Sequence, residues 1–430
     1  MTGPRHELTV ESAFRSADIA NAPTACSAVQ VNRPRLPASP ADQIRHLSMT
    51  TRTLRIAMNG VTGRMGYRQH LLRSILPLRE SGLTADDGSR VAVEPILVGR
   101  SADKLADMAA EHGIEHWTTD VASVIADPSV EVYFDAQVTS RRFEALTAAI
   151  KAGKHVYTEK PTAETLTEAV ELARMAQNAG ITAGVVHDKL YLPGLVKLRR
   201  LVDEGFFGRI LSMRGEFGYW VFEGDGQPAQ RPSWNYRAQD GGGITVDMFC
   251  HWNYVMEGIL GKVETVTAKA VTHIPTRWDE AHQPYPVTAD DAVYGIFDIS
   301  GGIVAQINSS WAVRVFRDEL VEFQVDGTHG SAVAGLRRCR AQHRVHTPKP
   351  VWNPDLPATE QFRDQWLEVP DNAVLDNGFK LQWEEYLRDV LAARPHRYDL
   401  LSAARGVQLA ELGLKSSTEG RRLDVPEIVL

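Results

Sequence analysis

Residues 241–252, GGGITVDMFCHW, set a carboxylate and an imidazole four positions apart, Asp247 and His251. An α-helix turns once in about 3.6 residues, so a helical segment projects both side chains from one face, within reach of a shared partner. An imidazole whose unperturbed pKa is about 6.5 can take or give a proton near neutrality. The same spacing also describes an ordinary surface pair on a helix, worth about 0.2–0.5 kcal/mol. What separates the two readings is what the rest of the chain places beside that face.

A second candidate lies at Gly60-x-x-Gly63-x-x-Gly66, directly after the apolar run 54–58 (LRIAM) and ahead of a helix-like stretch ending at Ile75. Glycine lets the backbone turn tightly and approach a pyrophosphate, while the helix N-terminus offers free N–H groups and a positive dipole end. The middle glycine is one position late for G-x-G-x-x-G, yet the strand–loop–helix context is the one that gives such a loop meaning. Gly60, Thr62, Gly63, Arg64 and Met65 are therefore the expected dinucleotide contacts. At the end of the next strand, where an acid would hold the ribose 2′-hydroxyl, stand Gly99-Arg100-Ser101. No carboxylate repels a 2′-phosphate there, and the Arg100 guanidinium can grip one, so NADP(H) is the expected cofactor with NAD(H) possible.

The elements that must hold these residues alternate. Strands are expected at 91–98, 130–136, 155–158 and 181–186, and helices at 104–112, 143–151 and 163–178. Strands alternating with helices of that length imply a parallel sheet covered on both faces, a Rossmann-type domain over 53–186. Beyond about residue 205 the pattern becomes period-2: 210–219, 263–271, 292–299, 303–311 and 320–325. These predict a second, α+β domain over 187–399 on an open, mainly antiparallel sheet, with the Asp247/His251 helix inserted early. A last helix, 400–415, within a segment 400–430, is expected to pack back on the body.

Bulk properties narrow the class. The chain has 430 residues, 43% hydrophobic and 23% charged, with a net charge of −7. That length supports two cores, and the charge argues against a nucleic-acid footprint. The densest basic cluster, 337–344 (RRCRAQHR), reads as a solvated loop. No run of about 18 apolar residues appears, so no membrane span is expected. Three cysteines, Cys26, Cys250 and Cys339, lack metal-ligand spacing and suit reduced thiols in a cytoplasmic protein, and no metal is expected. Residues 1–52 are Ala-, Pro- and Ser-rich without periodicity and read as a disordered extension.

At Glu159-Lys160-Pro161, preceded by AGKHV (152–156), the sequence resembles the Gfo/Idh/MocA family of NAD(P)-dependent oxidoreductases. The resemblance spans 53–427 and includes EGFFG at 204–208, Gly241-Gly242-Gly243 with Asp247 and His251, and YDLLSAARGVQLAEL at 398–412. It implies hydride transfer between a nicotinamide and a carbinol carbon of a sugar, cyclitol or related polyol. The residues agree: such a reaction needs a base for the hydroxyl proton and a group to hold the oxygen as charge develops. His251 is assigned as acid/base, and Asp247 as the group that orients it or binds a neighbouring hydroxyl. Lys160 would hydrogen-bond the reacting oxygen beside the nicotinamide, with Gln137, Glu159 and His187 lining the cofactor side.

The chain departs from the family pattern at Gln137-Val138, at Arg142 and at His187-Asp188-Lys189. Lys189, Trp234 and Arg237 are candidate substrate groups, the last two for ring stacking and hydroxyl binding; Trp234 reads equally as a core aromatic. GVTGRMG also resembles the loop of dihydrodipicolinate reductase, an alternative that chain length and the Asp247/His251 helix oppose. A non-catalytic dinucleotide sensor is the other alternative, and it has no need of a proton-transfer group. Covering the open sheet face against a second subunit predicts a homodimer or homotetramer.

Overall fold

The computed structural model describes residues 52–351, 353–357 and 360–430. The extension expected over 1–52 lies, apart from Arg52, outside them. Five strands form the parallel part of the first sheet: β1 (Arg52–Asn59), β2 (Arg90–Val98), β3 (Val132–Asp135), β4 (His155–Thr158) and β5 (Ala183–Val185), in the spatial order β2-β1-β3-β4-β5. The two-residue strand Trp117–Thr118 adds parallel to β2. This is the doubly wound order whose strand sequence reverses between β1 and β3, and ligands bind at that crevice.

Near-continuous apolar runs make these strands because both faces are covered. One face buries Leu54, Ile56, Met58 and Phe134. The other buries Ala57, Val98, Tyr133 and Val156. Helix α1 begins at Gly66, is π-wound over Gly66–Ile75 and continues as Leu76–Ser81, with Pro77 at the junction of the two windings. Helices α2 (Ala102–His112), α3 (Arg142–Lys151) and α4 (Leu166–Ala179) complete the layers. Helix α4 starts three residues after the expected Ala163. Thr165 and Glu168 close a capping box there, which sets the boundary.

After α5 (Pro193–Asp203) the chain builds a nine-stranded sheet. Its main strands are β6 (Ile210–Phe217), β7 (Val263–Val271), β8 (Ala292–Ile299), β9 (Ile303–Ser310), β10 (Val321–Gly327), β11 (Gly330–Ala334) and β12 (Cys339–His343). All pairs are antiparallel except β6–β9. Helix α6 (Ile244–Ile259) lies against the buried face, with Met248, Phe249, Trp252 and Val255 in its core.

Two later helices tie the sheets together. Helix α7 (Gly378–Leu391), not among the elements expected from the sequence, is capped by Asn377, whose side chain accepts from the Phe379 and Lys380 amides. It buries Trp383, Tyr386, Leu387 and Val390 in the first core. The range 187–399 therefore does not belong wholly to the second sheet. Helix α8 (Leu400–Glu419) ends four residues past the expected 415 and is closed by a left-handed Gly420. It buries Leu400, Ala404 and Val407 on the parallel sheet and Leu409 and Ala410 on the second core.

Candidate active site

The glycine loop is a cradle that only glycine permits. Gly60 has φ +86°, and a Cβ there would stand 2.6 Å from the Ala136 carbonyl carbon. A Cβ on Gly66 would lie 2.4 Å from the Gly60 oxygen. The loop thus closes on itself at the β1–β3 crevice and leads into the N-terminus of α1, which fits a dinucleotide pyrophosphate.

A cleft of about 400 Å3 opens beside it, between the parallel sheet and α6. Gly63, Arg64 and Met65 line one side; Gln137, Glu159 and Lys160 come from the ends of β3 and β4; Lys189, Trp234, Asp247 and His251 come from the far side. Asp188 and Arg142, two of the positions where the chain departs from the family pattern, line it too, as do Arg231 and Asn235, which sequence reasoning did not place in the site.

Helix α6 can hold Asp247 and His251 in this cleft because of how it starts. Gly243 takes φ +127°, and a Cβ there would meet Asp290 Oδ1 at 2.7 Å. Asp290 accepts from the Thr245 amide at 2.8 Å and from its hydroxyl at 2.6 Å, and its carbonyl accepts from the Ile244 amide at 3.0 Å. Helix α6 is buried on nearly every side, so its polar residues need partners.

Lys160 Nζ donates to Asp247 Oδ1 at 2.5 Å and to the Asp247 carbonyl at 3.1 Å. Arg231 Nη2 stands 3.0 Å from the other carboxylate oxygen, as a charge contact rather than an aligned hydrogen bond. Burial pushes the Asp247 carboxyl up, but Arg231 and Lys160 outweigh it and hold the group well below the usual range. The Arg231 guanidinium is itself placed by stacking over Trp311 and Phe222, at 4.8 and 5.1 Å from the ring centres.

His251 is nearly enclosed, and burial, then the Lys160, Lys189 and Arg231 charges and His187, push its pKa well below 6.5. Its Nδ1 lies 2.6 Å from the Tyr254 hydroxyl, which donates to Asp188 Oδ1 at 3.1 Å. On the cofactor side, Glu159 is buried; His70 bonds it at 2.9 Å, and Trp383 of α7 donates to the far nitrogen of His70 at 3.0 Å. Burial raises the Glu159 carboxyl, and the His70 hydrogen bond together with the Lys160 charge brings it below its ordinary value. Arg142 pairs with buried Asp135 at 3.1 Å and donates to the Gln137 and Pro161 carbonyls, fixing the strand ends that carry Gln137 and Lys160.

Several expected contacts lie elsewhere. Arg237 does not line the cleft: its guanidinium sits 4.6 Å over the Tyr285 ring and pairs with Asp240 at 3.8 Å. His187 is buried behind the cleft, stacked on Tyr254 at 4.0 Å and 21°. It supports Tyr254 rather than meeting a ligand directly. Gly60 shapes the loop from within, and Thr62 packs against Gly99. Arg100 is exposed and Ser101 half-buried at the end of β2, outside the cleft. Tyr254 was not named from the sequence; its spacing of three from His251, on the same helix face, is the signal that could have found it. Arg231 carried no local signal.

Comparison with known proteins extends the geometry. Residues 54–187 match the oxidoreductase family with an NAD-binding Rossmann fold, and residues 195–333 match the GFO/IDH/MocA C-terminal domain. The chain is 71% identical over 385 residues to a D-xylose dehydrogenase of Paenarthrobacter nicotinovorans, covering 88% of this chain and 99% of that one. It is 28% identical to a 1,5-anhydro-D-fructose reductase of Ensifer adhaerens, over 59% of this chain and 69% of that one. In fold it is similar to levoglucosan dehydrogenase in complex with NADH and L-sorbose, with TM-score 0.73 at 20% identity, covering 88% and 100% of the two chains. The chain thus belongs to the Gfo/Idh/MocA family of oxidoreductases, with an NAD-binding Rossmann fold as its first domain.

Proposed function

We propose that the enzyme oxidises D-xylose or a closely related aldose, with Lys160, Asp247 and His251 as its catalytic residues. The observation that carries this reading is the Lys160–Asp247 ion pair on the same α6 face as His251, in a cleft bordered by the glycine loop. The 71% identical D-xylose dehydrogenase supports the sugar. The nicotinamide supplies the hydride acceptor when bound. Lys160 donates to the reacting oxygen and favours its alkoxide form. His251 takes the hydroxyl proton, its depressed proton affinity keeping it neutral and ready as a base. Asp247 holds the Lys160 ammonium and, with Arg231 and Lys189, meets neighbouring hydroxyls; Trp234, 43% exposed at the mouth, offers a ring face.

We further propose NADP(H) as the preferred cofactor, with Arg100 meeting the 2′-phosphate. The support is chemical: Gly99-Arg100-Ser101 follows β2 without a carboxylate, and Arg100 is exposed and free to turn. Assembly as a homodimer or homotetramer through the open sheet face is part of the same reading. That face exposes Tyr294, Ile296 and Val304 on β8 and β9. Buried, unpaired Cys250 and Cys339 are consistent with a cytoplasmic setting. Initial rates of NAD+ and NADP+ reduction across D-xylose and other aldoses, cyclitols and polyols test the proposal. Turnover of a cyclitol but of no aldose would overturn the substrate.

A further inference from the structure

We propose that Tyr254 and Asp188 are positioning residues that fix the tautomer of His251, placing its proton on Nδ1 and leaving Nε2 as the bare lone pair of the base. The inference rests on the reading of His251 as the proton-transfer group.

A hydroxyl has one hydrogen and two acceptor lone pairs. Three polar groups meet that of Tyr254: Asp188 Oδ1 at 3.1 Å, His251 Nδ1 at 2.6 Å and the Lys189 backbone amide at 3.4 Å. A carboxylate only accepts and a backbone N–H only donates, so two of the three directions are settled by chemistry. The hydroxyl hydrogen goes to Asp188, and one lone pair receives the Lys189 N–H. The remaining lone pair faces Nδ1, which must therefore be the protonated nitrogen. In a neutral imidazole, Nε2 is then an acceptor. The reverse tautomer would turn the hydroxyl hydrogen to Nδ1 and set the phenolic oxygen against a carboxylate with no proton between them.

The surroundings hold this arrangement. Asp188 Oδ2 pairs with Lys189 Nζ at 3.4 Å, and the Tyr254 ring is clamped by the His187 stack. Asp188 Oδ1 lies 3.9 Å from Nδ1, near enough to offset the charge that appears when Nε2 takes the substrate proton. That charge otherwise forms among cations: Lys160, Lys189, Arg231 and, when protonated, His187, with Asp247 and Asp188 as the opposing anions. The alcohol O–H bond breaks and its proton moves to Nε2, while a nicotinamide bound in the cleft would accept the carbon's hydrogen as hydride.

Asp188→Asn makes the decisive variant. Lys189 Nζ retains the side-chain oxygen, so the new amide NH2 faces Tyr254, whose hydroxyl must then donate to Nδ1. His251 is driven to the Nε2–H tautomer. With 15N-labelled histidine and no cofactor, NMR should read Nδ1–H in the wild type and Nε2–H in Asp188→Asn. In D-xylose oxidation by NAD+, kcat of Asp188→Asn should fall about 10²–10⁴-fold, the range general acid–base catalysis supplies. Tyr254→Phe, which lies behind the cleft, should lower kcat about tenfold or more with little change in KM, and the double variant should lose much less than the product of the two single losses. Asp188→Glu, which keeps a carboxylate, should recover part of the loss and the Nδ1–H signature.

An Nε2–H signal in the wild type overturns the proposal, as do additive losses in the double variant. Wild-type kcat and pH profile in both single variants overturn it as well. His251→Ala separates the layers. Near-normal turnover there removes the acid/base reading itself, whereas an inactive His251→Ala beside unaffected Tyr254→Phe and Asp188→Asn removes the relay alone.

Discussion

Lys160→Met removes the ammonium while keeping most of the side-chain volume. Lysine carries three N–H donors. Two are committed to Asp247, at 2.5 Å to the carboxylate and 3.1 Å to its carbonyl, which leaves one for a ligand in the cleft that Lys160 lines. One preorganised donor to a developing oxyanion is worth about 2.7–4 kcal/mol, or about 10²–10³ in kcat. The fold should survive. Asp247 keeps its Arg231 contact at 3.0 Å, and losing a hydrogen bond to a charged group costs about 1.5–3 kcal/mol against a typical stability of about 5–15 kcal/mol. Steady-state oxidation of D-xylose with NAD+, together with NADH binding by fluorescence, checks the reasoning. We expect kcat and kcat/KM to fall together by about 10²–10³, the mark of an interaction made in the transition state, with NADH affinity largely kept. A rise in KM at unchanged kcat would refute it, because Lys160 would then be binding the sugar without acting on the reaction.

The pH dependence follows from His251. Sugar oxidation needs its neutral form, and its pKa is held well below 6.5 by burial and by Lys160, Lys189 and Arg231. The acid limb of kcat/KM should therefore lie well below pH 6.5, and a limb centred near the ordinary histidine value would contradict the placement. Arg100→Ala should raise the KM for NADP+ about 10- to 100-fold, the worth of about 1.5–3 kcal/mol from a charge-assisted bond, and leave that for NAD+ nearly unchanged; equal shifts for both would rule out 2′-phosphate recognition. Asp291→Ala strips the partner from Arg277, a pair at 2.9 Å with neither side chain exposed. The loss of about 3–5 kcal/mol expected for an uncompensated buried charge should appear as a marked drop in thermal midpoint. Ile296→Glu, on the exposed face of β8, should convert the assembly to monomers in sedimentation velocity, and an unchanged oligomer would place the interface elsewhere.

What the sequence made legible divides along a physical line. The parallel strands were visible because burial on both faces leaves nearly unbroken apolar runs such as 54–58 and 155–158, and β4 falls at His155–Thr158. The period-2 strands were visible for the opposite reason, one face wet and one dry, and β7 and β8 occupy the expected 263–271 and 292–299. Helix α7 was not read because its apolar stripe of Trp383, Tyr386 and Leu387 answers to strands more than two hundred residues away, and its Asn377 cap was masked by neighbouring polar residues. Arg231 was missed because what places it is the rings of Phe222 and Trp311 and the charge of Asp247, none of which its own segment announces.

The residues of α6 were a different case. ITVDMFCHWNYVMEGI is too apolar for a surface helix, so each polar side chain in it needs a buried partner. Thr245 finds Asp290. Asp247 finds Lys160 and Arg231. His251 and Tyr254 find each other and Asp188. A polar pattern inside an apolar helix therefore announces that a site exists, and the spacing of Asp247 and His251 says which face it uses. The partners are supplied by the strand end at Lys160, the turn at Asp188 and the loop at Arg231, which only tertiary structure brings together. For that reason the reaction class was readable from the sequence, while the group that sets the histidine's proton required the fold.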